Sequence, residues 1–170
     1  MPRAALAAEP AGDSPPSLDQ IWSAPGHLVR RVHQISSALF AEECGRFDLT
    51  PVQYAALVAI GANPLLDATR LSALIAFDRS TLGDVLERLE AKGWIVRIAS
   101  AADKRVKLLS LSADGARQVR LVRPAVDRVQ ERLLAPLSAT DRCVLTGLLT
   151  RLADLHNDVL PAPLLRPATT

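Results

Sequence analysis

The hydrophobic period of the chain changes at Gly93, and no other feature limits its fold so sharply. Upstream, Leu82, Val85, Leu86 and Leu89 recur at steps of three and four, the spacing of one buried helix face. Asp78 precedes them as a side chain able to accept hydrogen bonds from first-turn amides, and Lys92-Gly93 supplies a basic last turn and a stop. Downstream, Trp94-Ile95-Val96 and Val106 to Leu111 are short, apolar and partly β-branched, which predicts two strands of a hairpin. The link between them, Ala99-Ser-Ala-Ala-Asp-Lys-Arg105, is small and polar, as an exposed tip requires. Helix, strand, charged tip and strand make the outline of a winged helix. Its first-turn residues Arg79, Ser80 and Thr81 project where a DNA groove could meet them.

The tip adds chemistry to the outline. A guanidinium there, Arg105, suits the narrow and negative minor groove, and Asp103 two residues earlier is placed to hold it in a fork. Lys104 and Lys107 add attraction for phosphate. Arg88 and Arg97 carry two readings, DNA contact or an ion pair; Arg88 can reach Asp84 or Glu87 on its own helix. A merely solvated charged face would leave the hairpin and its basic tip without a purpose.

The segments Asp78-Arg-Ser-Thr, Arg88-Leu-Glu-Ala-Lys-Gly, Asp103-Lys-Arg and Leu109-Ser-Leu-Ser together resemble the MarR (multiple antibiotic resistance regulator) family of bacterial winged-helix repressors. Thr50-Pro-Val-Gln-Tyr-Ala-Ala-Leu is similar to the segment that opens the family's second helix, and the order of helices from about Gly26 to Leu160 also fits. The resemblance implies a winged helix-turn-helix with N- and C-terminal dimerisation helices. It further implies a homodimer on double-stranded DNA and release by a small molecule held between the dimerisation helices and the reading domain.

Composition agrees with that architecture. A chain of 170 residues with 49% apolar content forms one sizeable core, and 4% aromatic content leaves that core to Leu, Val, Ile and Ala, which favours helices with a small β-hairpin wing. The expected plan is a flexible tail at 1–17, a single domain at 18–160 and a second tail at 161–170. Within the domain the winged helix takes about 49–111, and the dimerisation helices about 18–46 and 112–160.

Pro25-Gly26 is expected to break the chain before a helix from about His27 to Gly45, with Leu28, Val32, Ile35, Leu39 and Phe40 on one side. Thr50-Pro51 opens a helix to about Gly61, and a shorter one from about Ala68 to Ala76 carries Leu71, Leu74 and Ile75. Ser112 is expected to cap a helix to about Leu134, striped by Leu121, Ala125, Val129 and Leu133 and kinked at Pro124. Ser138 with Asp141 opens another, ending near Leu160, with Leu145, Leu148, Leu149, Leu152 and Leu155. Spare apolar faces at both ends predict a two-fold dimer, with reading helices about 34 to 36 Å apart on a pseudo-palindromic operator.

Candidate effector residues lie near the start of the long helix. His27, Arg31 and Gln34, spaced four and three apart, can share a face that receives a carboxylate, with Tyr54 as an aromatic wall; the same side chains can equally form ion pairs or stay solvated. Pro25-Gly26-His27 through Gln34, with Leu49-Thr-Pro-Val-Gln-Tyr, resembles most the members that control breakdown of aromatic acids. That implies an anionic aromatic effector, an aromatic carboxylate or its coenzyme A thioester.

Other classes find little support. Cys44 and Cys143 are far apart, so neither metal spacing nor a disulfide framework is visible, and Glu42 and Glu43 oppose a reactive thiolate at Cys44. There is no glycine-rich phosphate loop, histidine metal pair or nucleophile motif, so neither enzyme, cofactor nor metal is expected. A net charge of +2 is too mild to announce nucleic-acid binding alone, and a helical module binding an acidic protein partner is the alternative. No apolar run spans a bilayer and the N-terminus lacks a secretory signal pattern, so a cytoplasmic protein without membrane partners is expected.

Overall fold

The structure, a computed structural model, describes residues 17–159 and Leu164; apart from Ser17 and Leu164, the two expected tails lie outside the described residues. Its elements are α1 (Leu18–Ser23), α2 (Pro25–Cys44), a 3-10 turn (Gly45–Phe47), α3 (Pro51–Ala62), β1 (Leu66–Asp67), α4 (Ala68–Ile75) and α5 (Arg79–Ala91). Then follow β2 (Ile95–Ala99), β3 (Lys107–Leu111), α6 (Ala113–Leu134), α7 (Ala139–Leu155) and a last 3-10 turn (Asn157–Val159). The fold is mostly α with a small antiparallel sheet, as the sequence predicts. The chain divides into two compact units, residues 1–35 and 36–170.

In the first unit α1 opens on a reciprocal cap. Gln20 N donates to Ser17 Oγ at 3.3 Å and Ser17 N donates to Gln20 Oε1 at 2.8 Å. The expected break at Pro25-Gly26 is smaller than the sequence implies, because α2 begins at Pro25 itself rather than near His27. At the first helical position a missing N–H leaves no bond unmade and the fixed φ of proline already suits a helix.

The second unit holds the core. Leu57 and Ile60 of α3, Leu71 of α4, Leu82 and Leu89 of α5 and Leu109 of β3 are each at most 1% exposed. Every helix from α3 onward starts on a side-chain cap: Thr50, Asp67, Asp78, Ser112 and Ser138 each accept from a first-turn amide. Just past the end of α5, Gly93 has φ +69°, a conformation that costs a side-chain-bearing residue and not glycine.

The buried face of α6 and the length of α7 differ from expectation. The buried line of α6 is Val122, Ala125 and Val129, while Leu121 is exposed. Steps of four drift by about 40° each on a helix of 3.6 residues per turn, so a line from Leu121 to Leu133 wanders off the face that alternating steps of three and four hold. α6 continues through Pro124. α7 ends at Leu155, short of Leu160, and none of its residues is buried; Leu148, Leu152 and Leu155 are all more than half exposed.

The sheet has order β1-β3-β2, with Leu66 opposite Leu109 and Ile95 opposite Leu111. β1 is absent from the sequence expectation, since two residues show no alternation to read. Its role is to tie the start of α4 to the wing.

α6 is joined to the end of α2 by charge. Arg128 Nε lies 2.9 Å from Glu43 Oε2, and Arg132 reaches Glu43 Oε1 and Glu42 Oε2, both at 2.8 Å. The Arg128 hydrogen bond, then that of Arg132, holds the Glu43 carboxyl below the usual glutamate range. A depressed folded value means stability fully present above the unfolded value and lost as pH falls through the folded one. Urea midpoints are therefore expected to drop between pH 6 and pH 3 by less in Glu43→Gln than in the wild type. Equal drops would remove this network from acid denaturation.

Among the described residues no helix is long and apolar enough to cross a membrane.

Candidate nucleic-acid interface

The first turn of α5 is organised by its cap. Asp78 Oδ2 accepts from Ser80 N at 3.1 Å, from the Ser80 hydroxyl, and from Thr81 Oγ1 at 3.4 Å. The Ser80 hydroxyl is the largest cause that keeps the Asp78 carboxyl below the usual range. Ser80 and Thr81 thus turn their hydroxyl protons toward the cap while their oxygens keep acceptor capacity. Arg79 stands exposed beside them.

At the wing tip Asp103 and Arg105 are coupled, but not by the expected fork. The bond runs from the Arg105 backbone amide to Asp103 Oδ1 at 2.9 Å, and Val106 N donates to Asp103 O at 2.9 Å. Over a two-residue separation an aspartate folds back on the main chain more readily than on a long side chain. Asp103 therefore shapes the turn that presents Arg105, and the guanidinium head is left available. Lys104 is exposed on the same turn.

The structure brings three of the sequence-predicted side chains together. Arg79 from α5 and Arg105 and Lys107 from the wing line one concavity of about 510 Å³, with Val106, Asp67, Ala68, Thr69 and Arg70 completing it. Thr69 and Arg70 are absent from the sequence-based candidates; their position just after the Asp67 cap is the signal that marks them. Arg97 resolves to the structural role, with Nε 2.9 Å from Glu90 Oε2 as an ion pair without hydrogen-bond alignment. Arg88 borders a separate cleft with Thr81, Asp84 and Gln53.

The wing base is fixed to α6 by main-chain contacts. Ser112 N donates to Trp94 O at 3.0 Å, Ser112 Oγ donates to Gly93 O at 2.6 Å, and Gly115 N donates to Ser112 Oγ at 3.0 Å. Lys92 adds an ion pair to Asp48 Oδ2 at 2.8 Å, with its ammonium 4.8 Å from the Trp94 ring centre. The end of α5, the wing and the start of α6 therefore share one rigid junction.

On α2, the guanidinium that meets the candidate effector residues belongs to Arg30. Its Nη1 donates to Gln34 Oε1 at 3.1 Å and its Nη2 lies 3.4 Å from His27 Nδ1, while Arg31 is the next residue round the helix. In the second unit Tyr54 walls an apolar groove of about 380 Å³ with Val58, Ala59, Leu74 and Ile75. Burial, then the charge of Asp127, pushes the Tyr54 hydroxyl up.

Cys44 is fully buried, and burial followed by the Glu43 charge pushes its thiol up against the opposing pull of Arg128 and Arg46. A thiol kept protonated reacts slowly with oxidants. Peroxide is expected to leave DNA affinity unchanged in both wild type and Cys44→Ser. Peroxide-dependent release in the wild type alone would show that Cys44 is a sensor. Among the described residues no group of three or more His, Cys, Asp or Glu could hold a metal ion.

Residues 47–106 match the sequence profile of the MarR family. Over 116 residues the chain is 33% identical to the transcriptional regulator HosA of Escherichia coli, covering 68% of this chain and 84% of HosA. The crystal structure of the PcaV transcriptional regulator from Streptomyces coelicolor in complex with its natural ligand is 34% identical with a TM-score of 0.75, over 79% of this chain and 94% of PcaV. Bordetella bronchiseptica BpsR, whose DNA binding is regulated by 6-hydroxynicotinic acid, is 26% identical with a TM-score of 0.77, over 83% of this chain and 99% of BpsR.

Proposed function

The chain belongs to the MarR family and is a transcriptional regulator of that type; from this premise we propose that it is a cytoplasmic repressor that binds a pseudo-palindromic operator as a homodimer. The observation that carries this reading is the convergence of Arg79 on α5 and Arg105 on the wing upon one concavity, which lets one head address a major groove and the adjacent minor groove together. Arg79, Ser80 and Thr81 meet the major groove or its phosphates. Asp103 presents Arg105 to the minor groove, and Lys104 and Lys107 attract phosphate.

The exposed Leu148, Leu152 and Leu155 of α7 support the dimer, because such a face is costly to leave in water. In this reading the winged helix occupies about 49–111, and the segments at 18–46 and 112–160 make the dimer. The effector is a small anionic aromatic compound; the candidate residues for it are His27, Arg31 and Gln34 in the first unit, with cation and donor groups, and, taken separately, Tyr54 in the second unit, with an aromatic surface. The likeness to PcaV and BpsR, structures solved with or explained by a small ligand, supports that class. Release is a population shift: the effector favours a spacing of the two heads that fits DNA poorly, and it must prefer that state by a few kcal/mol to empty the operator.

The test is stoichiometry and release. A duplex selected from a random-sequence pool is expected to bind two chains by analytical ultracentrifugation and to be freed by an aromatic acid or its coenzyme A thioester at micromolar concentration. One chain per duplex, or no enriched sequence, would instead favour the protein-interaction module.

A further inference from the structure

Lys92 follows α5 with a side chain that the helix end does not need. The main chain already stops the helix: Gly93 N donates to Glu90 O at 2.8 Å, Trp94 N donates to Leu89 O at 3.0 Å, and Gly93 makes the left-handed turn at φ +69°. The Lys92 side chain, 24% exposed, crosses instead to the link between α2 and α3. Its ammonium donates to Asp48 O, pairs with Asp48 Oδ2 at 2.8 Å and stands 4.8 Å from the Trp94 ring centre. An ammonium has three donors, and these partners take them. Asp48 is where the link turns: its φ is +49°, its N donates to Gly45 O at 3.2 Å, and Leu49 beside it is buried. The end of α2 is itself held to α6, where Arg128 and Arg132 reach Glu43 at 2.9 and 2.8 Å.

We propose that Lys92 is a positioning residue for DNA reading: it ties the C-terminal end of α5 to the α2–α3 link, so that the set of this link fixes the tilt of the reading helix. The other end of α5 is held separately, through the turn after α4, where Phe77 N donates to Ser72 O at 3.1 Å and Ser72 Oγ donates to Phe77 O at 2.7 Å. A helix held at both ends presents Arg79, Ser80 and Thr81 in one orientation; freed at one end, it pivots about the other. Base-edge hydrogen bonds depend on that orientation, whereas attraction to phosphate tolerates a change in it. The Asp48 carboxylate is almost fully exposed and therefore screened, so the Asp48 carbonyl and the Trp94 ring carry most of the tie.

The proposal rests on the DNA-reading assignment but fails separately from it. Binding of the full chain is measured by fluorescence anisotropy against salt on two probes, the best duplex from a random-sequence selection and an unrelated duplex of equal length. Lys92→Met is expected to weaken the selected duplex by about tenfold while the unrelated duplex and the slope of log affinity against log salt stay as in the wild type. Lys92→Arg, which keeps a cation and its donors, and Asp48→Asn, which keeps the carbonyl, are expected to bind as the wild type does. Equal losses on both duplexes with a slope lower by about 0.9 would make Lys92 a phosphate contact and overturn the proposal. A lower melting temperature in Lys92→Met with both affinities unchanged would also overturn it, because Lys92 would then serve stability alone. Absence of any preferred sequence for the wild type would sink sequence reading, and amide hydrogen exchange then decides the tie: faster exchange at Asp48 in Lys92→Met but not in Lys92→Arg upholds it, and unchanged exchange overturns it.

Discussion

Gly115→Ala is expected to be the most destabilising small substitution in the molecule. A Cβ built at Gly115 would sit 1.9 Å from Trp94 O and 2.8 Å from Trp94 C, and both obstacles are main chain rather than a movable side-chain end. Relief requires α6 to retreat from the wing base, which breaks the bonds that join Ser112 to Gly93 and Trp94. Overpacking of this kind costs about 3 kcal/mol. In a chain of this size the melting temperature is expected to fall by roughly 10 °C. Gly83→Ala is the matched control. It lies inside α5 with nothing within 4 Å of the added methyl, so its expected effect is a gain of about 0.5 to 1 kcal/mol. Equal melting of Gly115→Ala and wild type would mean that wing and α6 are not rigidly joined.

The second large effect is on DNA. Arg79→Ala and Arg105→Ala are each expected to weaken the selected duplex by about 2 kcal/mol, close to thirtyfold, with little change in melting temperature because both head groups are solvent-facing. The two losses should differ in kind. Arg105→Ala should erase the preference for A·T over G·C in the flank that the wing reaches, since a narrow, negative minor groove is what a guanidinium reads there. Arg79→Ala should leave that flank preference intact. If both variants lose affinity without altering any sequence preference, the two arginines only hold phosphate.

Much of this site is legible in the amino-acid sequence. The switch from helical to alternating period at Gly93 places α5 and the hairpin, and Asp78 is readable as a cap from its residue type alone. The illegible parts have physical reasons. β1 is two residues long, too short for any period, yet it carries Asp67, whose carboxylate sets the start of α4. Thr69 and Arg70 join the site only through that local geometry, across a gap in sequence that patterning does not bridge. Proximity pairs Asp103 with Arg105 correctly but points to the wrong partner atom, because the main-chain amide competes with the side chain at that spacing. Leu121 falls outside the buried face because a strict step of four looks regular in sequence but rotates on a helix. On α2, helical spacing puts Arg31 on a face with His27 and Gln34, and it does not foresee that the side-chain bonds of those two residues run to Arg30.

The most direct measurement of sequence reading by the wild-type chain is fluorescence anisotropy with the DNA upstream of its own coding region, at two salt concentrations, against unrelated competitor duplex of equal length. Sequence-specific reading predicts binding at least about a thousandfold tighter than to the competitor, weakening steeply with salt. Affinities that are equal for the upstream and unrelated duplexes, and equal again for duplexes drawn from a random-sequence selection, would contradict it.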